Sequence, residues 1–182
     1  GMQLWEEAYE PFDIIPLAGG NSGVQMAGWF KKEINSLSDL KGLKMRIPGL
    51  AGEVFTRAGA ETVTLPGNEI FLSLQQGVVD AAEWVGPYND YFMKFYEAAK
   101  YYYTGGMHEP GSCLAFAFNA SFWGKLSSNE KALITAASME EHAAQYEETC
   151  AKNGEYLAKL INEHGTKVRS FDDDVWDSFG EA

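Results

Sequence analysis

The residues best suited to chemistry lie at positions 81–90, where a carboxylate and an indole precede a Gly-Pro pair. The apolar run at 77–82 predicts a strand, and Gly86-Pro87 predicts the turn that ends it. Glu83 and Trp84 are therefore expected at the carboxyl end of a buried strand, where open α/β sheets bind ligands. A carboxylate in that position is costly to bury unless a cation or several hydrogen-bond donors meet it.

Arg46 is the charge partner that the sequence offers, because it stands inside the apolar strand pattern Met45-Arg46-Ile47. Its planar guanidinium can bind a carboxylate through two parallel hydrogen bonds. An arginine in a strand can also lay its stem on apolar surface and extend its head into solvent. From the residues alone, Arg46 is either a carboxylate clamp or a surface side chain.

Three weaker candidates lie in other segments. Gln25 is the polar residue of a predicted strand at 24–30, and an isolated amide there could equally face water. His108 and Glu109 stand in a loop rich in Gly and Pro, where binding residues concentrate. A single histidine beside an acid is a weak sign of metal or acid–base chemistry. No nucleophile elbow, zinc motif, phosphate loop or dinucleotide fingerprint is present.

The composition limits the function classes. The chain has 182 residues, 46% of them hydrophobic, which suffices for one sizeable core or two small ones. Its net charge of −12 argues against nucleic acid and anionic membranes as partners. No apolar run is long enough to cross a bilayer. The two cysteines, Cys113 and Cys150, are compatible with one disulfide or with two buried thiols.

The element pattern from 44 to 85 alternates strand and helix, which predicts βαβ units and a parallel sheet. Its strands are expected at 44–47, 61–65 and 77–85, and its helices at 52–57 and 69–76. Outside it, strands are expected at 12–17, 24–30, 100–104, 113–119 and 167–170, and helices at 4–9, 88–99 and from 172 onward.

A long helix is predicted at 129–163 from its Ala, Glu, Lys and Leu content. Ser127 and Ser128 are expected to cap its beginning, and Gly165 its end. Gly154 is expected to bend or break it. The glycines at 19–23 predict a loop, and the apolar run at 113–119 predicts a buried strand.

Taken together, these segments resemble the periplasmic solute-binding proteins of TRAP (tripartite ATP-independent periplasmic) transporters, the DctP-like family. The similarity is greatest to the subgroup that binds 2-oxo acids and similar small monocarboxylates. It is carried by GNSGVQMAGWF at 20–30, DLKGLKMRIPG at 39–49, LQQGVVDAAEWVGPY at 74–88 and GMHEPG at 106–111. The second segment is shared by the wider family, whereas EWVGPYND and HEPG are specific to the subgroup.

The resemblance implies an α/β fold of the type II periplasmic-binding-protein kind, with two lobes around a cleft. This chain would hold the C-terminal half only: one complete lobe, parts of the other, and a long C-terminal helix. The implied divisions are 1–22 as inter-lobe linker and remnant of lobe I, 23–105 as the α/β core of lobe II, 106–135 as a strand and helix returning to lobe I, and 136–182 as the long helix and C-terminal helix packing on lobe II. Unpaired lobe I strands would permit a homodimer, including a domain-swapped one.

The resemblance also implies the site. Arg46 would pair with the ligand carboxylate, with Gln25 and Trp84 as further substrate contacts. A Na⁺ or Ca²⁺ ion would be held by Gln25, Glu83, the backbone carbonyl of Trp84, and Glu109. Two acids and a substrate carboxylate bring three negative charges against one arginine, so Na⁺ would leave the cluster at −1 and Ca²⁺ would neutralise it. Oxygen ligands suit both hard cations. His108 is expected to contact the ligands rather than the ion itself.

The predicted function is binding rather than catalysis. A periplasmic protein would capture a small 2-oxo or 2-hydroxy monocarboxylate and deliver it to the membrane permease of a TRAP transporter. One alternative is a metal-dependent enzyme acting on 2-oxo acids, with Glu83 or Glu109 as acid or base. Another is the ligand-sensing domain of a membrane receptor.

Overall fold

The computed structural model describes residues 1–182, which divide into two compact units. Unit 1 comprises Gly1–Gly23 and Gly111–Cys150, and unit 2 comprises Val24–Pro110 and Ala151–Ala182. Both combine helices with strands, so the predicted α/β class is confirmed. The assignment of particular segments to lobes I and II stays a prediction.

Seven α-helices and eight strands form the two units. The helices are α1 (Met2–Tyr9), α2 (Gly49–Arg57), α3 (Gly67–Gln76), α4 (Pro87–Phe92), α5 (Ala120–Lys125), α6 (Ser128–His164) and α7 (Asp173–Glu181). The strands are β1 (Ile14–Asn21), β2 (Gly28–Phe30), β3 (Lys44–Arg46), β4 (Glu61–Val63), β5 (Ala81–Ala82), β6 (Tyr101–Tyr103), β7 (Cys113–Asn119) and β8 (Lys167–Arg169). Short 3₁₀ turns occupy Glu10–Phe12, Leu37–Leu40 and Phe95–Glu97.

Unit 2 is built on a six-stranded mixed sheet in the order β4-β3-β5-β2-β6-β8. Strands β4, β3 and β5 are parallel, which confirms the predicted βαβ arrangement. Strand β2 is antiparallel to both of its neighbours, and β6 and β8 are parallel. The strand predicted at 77–85 is reduced to two residues. The Val78 and Val79 N–H groups donate to the Ser73 carbonyl in α3 and not to a neighbouring strand.

Side chains that alternate along the central strands supply two cores, one on each face of the sheet. Phe30 and Tyr103 belong to the core covered by α2 and α7. Their neighbours Trp29 and Tyr102 belong to the core covered by α3 and the last part of α6. This burial on both faces fixes the strand register, since a slip by one residue would exchange the two sets.

Unit 1 contains the antiparallel pair β1–β7, with Ile14 opposite Asn119 and Asn21 opposite Cys113. Three predictions are wrong here. Gly19, Gly20 and Asn21 continue strand β1 instead of forming a loop, because Gly20 and Asn21 pair with Leu114 and Cys113 beyond a register shift at Gly19. Strand β7 forms as predicted, but almost all of its residues are exposed. Cys113 and Cys150 are exposed free thiols, so neither the disulfide nor the buried pair is present.

Helix α6 runs for 37 residues without interruption. Its residues up to Cys150 belong to unit 1, and those from Ala151 onward belong to unit 2. Ser127 and Glu130 cap its start reciprocally, since Glu130 Oε2 accepts from the Ser127 N–H at 2.8 Å and Ser127 Oγ accepts from the Glu130 N–H at 3.3 Å. Gly165 ends it with a positive φ of 67°, as predicted. The break predicted at Gly154 is absent. The helix predicted at 88–99 does stop early, where Lys94 adopts a φ of 57°.

Candidate functional site

Arg46 ends strand β3 with its side chain buried, and the residue is only 6% exposed. Its Nη1 donates to the Glu83 backbone carbonyl at 2.6 Å and to Glu83 Oε2 at 3.1 Å. Its Nε donates to the Leu65 carbonyl at 3.1 Å. The solvent-exposed alternative for this arginine is therefore wrong. Three hydrogen bonds to two segments hold the guanidinium in one orientation.

Glu83 follows directly after β5, as the sequence predicted, and is 2% exposed. Its Oε2 accepts from Arg46, while its Oε1 is buried and accepts no hydrogen bond. The Nε2 atom of His108 lies 3.4 Å from Oε1, also without a hydrogen bond. Gly28 makes the close approach of β2 to this segment feasible, because a Cβ there would lie 2.7 Å from the Ala82 carbonyl oxygen.

Trp84 is half-buried and lies against the arginine. The Arg46 Cζ atom is 5.3 Å from the centre of the indole ring, within the range of a cation–π contact. The ring also packs against the core below α3 and lies close to Gly67 at the start of α3, where an added Cβ would lie 2.7 Å from Trp84 Cη2. The indole is thus held between a guanidinium and a helix terminus that has no side chain.

Gln25 and Glu109 come from two loops that touch. Gln25 is 2% exposed and lies in the loop before β2, not in the predicted strand. The Gly106 N–H donates to the Gln25 carbonyl at 3.2 Å, and a Cβ on Gly106 would lie 2.6 Å from that oxygen. Glu109 is in the same loop as Gly106, with its N–H donating to the Gly106 carbonyl at 3.2 Å. Its side chain is exposed, unlike that of Glu83.

The charges of these residues converge on the guanidinium. Burial lowers the pKa of Arg46 below its ordinary value, and the negative charges of Glu83 and Glu109 oppose that shift. Arginine remains charged at neutral pH nonetheless. No group of three or more His, Cys, Asp or Glu side chains is placed to hold a metal ion. A cation here would therefore depend on amide and backbone oxygens in addition to the two acids.

The donor chemistry fits a hard cation. The buried Glu83 Oε1 lacks a hydrogen-bond donor, and a buried carboxylate oxygen in that state is costly unless a positive group meets it. Gln25 and Trp84 would add neutral oxygens from a side-chain amide and a backbone carbonyl. Oxygen sets of this kind suit Na⁺ or Ca²⁺ rather than metals that prefer thiolate or imidazole.

Two sets of buried contacts near the candidate site escaped the sequence analysis. The Leu65 carbonyl accepts from Arg46, and no side-chain pattern announces a backbone acceptor. Asp90 is a buried acid that accepts hydrogen bonds from Trp29, Tyr102 and Val85. Its position near the start of α4 looks like an ordinary acid in a first helical turn, so only the tertiary contacts distinguish it.

A mixed sheet that places a buried Arg–Glu pair at the carboxyl ends of parallel strands defines a ligand-binding α/β unit. The chain belongs to the bacterial extracellular solute-binding protein family 7, DctP, whose model matches residues 5–182. This is a family of solute-binding proteins, so the enzyme alternative is set aside. No helix is both long enough and apolar enough to span a membrane.

Individual relatives agree with the family. The chain is 42% identical over 175 residues to a monocarboxylate 2-oxoacid-binding periplasmic protein of Nostoc sp. strain PCC 7120, covering 96% of this chain and 48% of that protein. It also matches TRAP periplasmic solute-binding proteins from Pseudoalteromonas atlantica T6c, with bound sodium and pyruvate, and from Colwellia psychrerythraea, with bound calcium and pyruvate. Each match has 41% identity and a TM-score of 0.94, and covers 100% of this chain and 55% of the other. The chain thus spans about half the length of these relatives.

Proposed function

We propose that this chain supplies the carboxylate- and cation-binding part of a periplasmic TRAP solute-binding protein for small 2-oxo or 2-hydroxy monocarboxylates. Arg46 pairs with the ligand carboxylate, and Na⁺ or Ca²⁺ is held by Gln25, Glu83, the Trp84 carbonyl and Glu109. The observation that carries the proposal is the buried Arg46–Glu83 pair, in which Glu83 Oε1 lacks a hydrogen-bond donor.

Charge balance supports a cation as part of the ligand set. Without a ligand, the charges of Arg46 and Glu83 offset each other. An incoming carboxylate then adds a negative charge beside Glu83 and Glu109, and like charges brought together in a partly desolvated site repel strongly. A bound cation offsets them, and it also meets the open Glu83 Oε1. Gln25 and Trp84 make further contacts with the substrate.

The whole protein would deliver its ligand to the membrane permease of a TRAP transporter from the periplasm. The relatives with bound pyruvate and the periplasmic 2-oxoacid-binding protein of Nostoc support this role. We also propose that two copies of this chain associate through strand β7, by edge pairing or by exchange of the strand, because its outer edge bonds to no other strand. Sedimentation of the chain tests that association, and a monomer at high concentration would contradict it.

Thermal melting of the chain tests the binding function. Sodium pyruvate and CaCl₂ together should raise the melting temperature, because a ligand that binds only the folded state stabilises it. Arg46→Ala should abolish that rise, and Arg46→Lys should remove most of it, since an ammonium cannot form the two-pronged contact. Arg169→Ala, which removes a partly buried arginine paired with Glu33, is the control and should keep the rise. Persistence of the full rise in both Arg46 variants would refute the assignment.

A further inference from the structure

Asp90 is a buried acid that the proposed ligand set does not use. It lies in α4 and is 1% exposed. A carboxyl so deeply buried is retained only where several donors satisfy it. Its donors connect two strands of the sheet with the segment that carries Glu83 and Trp84.

The Oδ2 atom of Asp90 is anchored in the core. It accepts from Trp29 Nε1 at 2.9 Å and from the Tyr102 hydroxyl at 2.8 Å. The two aromatic rings stack with their centres 4.0 Å apart and are fully buried. They stand on neighbouring strands β2 and β6, so this oxygen is fixed relative to the centre of the sheet.

The Oδ1 atom of Asp90 accepts from the Val85 N–H at 3.0 Å. That N–H belongs to the peptide unit that joins Trp84 to Val85, which is planar and trans because the structure contains no cis peptide. In such a unit the N–H and the preceding C=O point in opposite directions. The contact with Asp90 therefore turns the Trp84 carbonyl away from the core.

The carbonyls on either side of Trp84 are both engaged. The Glu83 carbonyl accepts from Arg46 Nη1 at 2.6 Å, and the Val85 carbonyl accepts from the Met26 N–H at 2.9 Å. The Trp84 carbonyl between them accepts no hydrogen bond from the protein. With no donor from the protein, this oxygen is open to water or to a ligand.

We infer that Asp90 is a positioning residue that aims the Trp84 carbonyl at the bound cation. The inference rests on the proposed function, because it assumes that the cation uses this carbonyl. Asp90 itself does not touch the ion. It holds one side of a rigid peptide unit so that the other side presents its oxygen next to Glu83. Supporting groups of this kind typically change metal affinity by about 10- to 100-fold when removed.

Calcium titration in the presence of pyruvate, followed by NMR of the backbone amides, tests the inference. Asp90→Asn keeps the shape but leaves one acceptor oxygen for three donors, so we expect calcium affinity to fall by about 10- to 100-fold. Tyr102→Phe removes one donor to Oδ2 and leaves the Val85 contact, so its affinity should change by less than about 3-fold. Equal losses in the two variants, or no loss in Asp90→Asn, would overturn the positioning role.

A measurement on the unaltered protein does not depend on the folding of a variant. The Val85 amide should be protected from hydrogen exchange before calcium is added, because Asp90 already holds it. On addition of calcium its resonance should move, since a cation on the Trp84 carbonyl polarises the same peptide unit. An unprotected or unresponsive Val85 amide contradicts the inference.

Glu83→Gln in the same titration separates the two proposals. If Glu83→Gln loses calcium binding and Asp90→Asn does not, the positioning role fails while the proposed function stands. If the unaltered chain does not bind calcium, or Glu83→Gln binds it as well as the unaltered chain does, the proposed function fails and the inference falls with it.

Discussion

Units 1 and 2 differ sharply in how they bury apolar side chains. Every buried hydrophobic residue except Leu17 lies in unit 2, in two cores on opposite faces of one sheet. Unit 1 exposes large apolar side chains, among them Leu114, Phe116 and Leu133. All the proposed ligand residues are in unit 2. The comparison indicates that the binding chemistry rests on a region with a core of its own, since a well-packed scaffold holds such side chains in place.

Core truncation should separate the two units most clearly. Phe55→Ala removes a ring that is 1% exposed in unit 2, and we expect it to cost about 3–5 kcal/mol of unfolding free energy. Phe116→Ala removes a ring that is 44% exposed in unit 1, and it should cost less than about 1 kcal/mol. Urea denaturation of both variants measures the difference. Equal losses of unfolding free energy would contradict the difference in packing between the two units.

The pH dependence of stability should come chiefly from a buried acid of unit 2. Burial raises the pKa of Asp90 to about 7, against the opposing effect of its hydrogen bonds from Trp29, Tyr102 and Val85. The folded state therefore holds this proton more tightly than the unfolded state, whose pKa is near 3.8. The resulting stabilisation is complete below pH of about 4 and is lost as the pH rises through about 7.

The size of that loss should be up to about 4 kcal/mol. Denaturant titrations at several pH values between 4 and 8 measure it, with Asp90→Asn as the control that lacks the titrating group. If the unaltered chain and Asp90→Asn show the same slope against pH, Asp90 does not have a raised pKa.

Breaking the Arg46–Glu83 ion pair should lower the unfolding free energy by about 3 kcal/mol. Arg46→Ala leaves the Glu83 carboxylate buried without its partner, and an uncompensated buried charge destabilises the fold more than replacing both partners would. Arg169→Ala breaks a half-exposed pair with Glu33 in the same unit, and it should lower the unfolding free energy by less than about 1 kcal/mol. Thermal or urea unfolding compares the two, and a small effect of Arg46→Ala would show that the pair is open to water.

The smallest effect is expected at the helix cap in unit 1. Ser127→Ala removes the hydroxyl contacts with Glu130 and keeps the backbone one, and it should lower the unfolding free energy by about 1 kcal/mol. Ser128→Ala next to it should lower it by less than about 0.5 kcal/mol. Hydrogen exchange of the first turn of α6 measures the loss. Equal protection in both variants would contradict the cap.

The sequence predicted those features that depend on local pattern. The alternation of strand and helix from 44 to 85 indicated parallel strands, and the break after Glu83 put that acid at a strand end. The exposure of β7 was missed because an apolar run shows that burial is favourable, not what packs against it. Asp90 was missed because its partners Trp29 and Tyr102 are distant in sequence, and only the folded sheet brings them to it.

A crystal structure of the chain grown with CaCl₂ and sodium pyruvate tests the central claim most directly. The account predicts calcium at about 2.3–2.6 Å from oxygens of Gln25, Glu83, Glu109 and the Trp84 carbonyl. It also predicts the pyruvate carboxylate on the Arg46 guanidinium. Calcium bound elsewhere, or a pyruvate that leaves Arg46 paired with Glu83 alone, would contradict it.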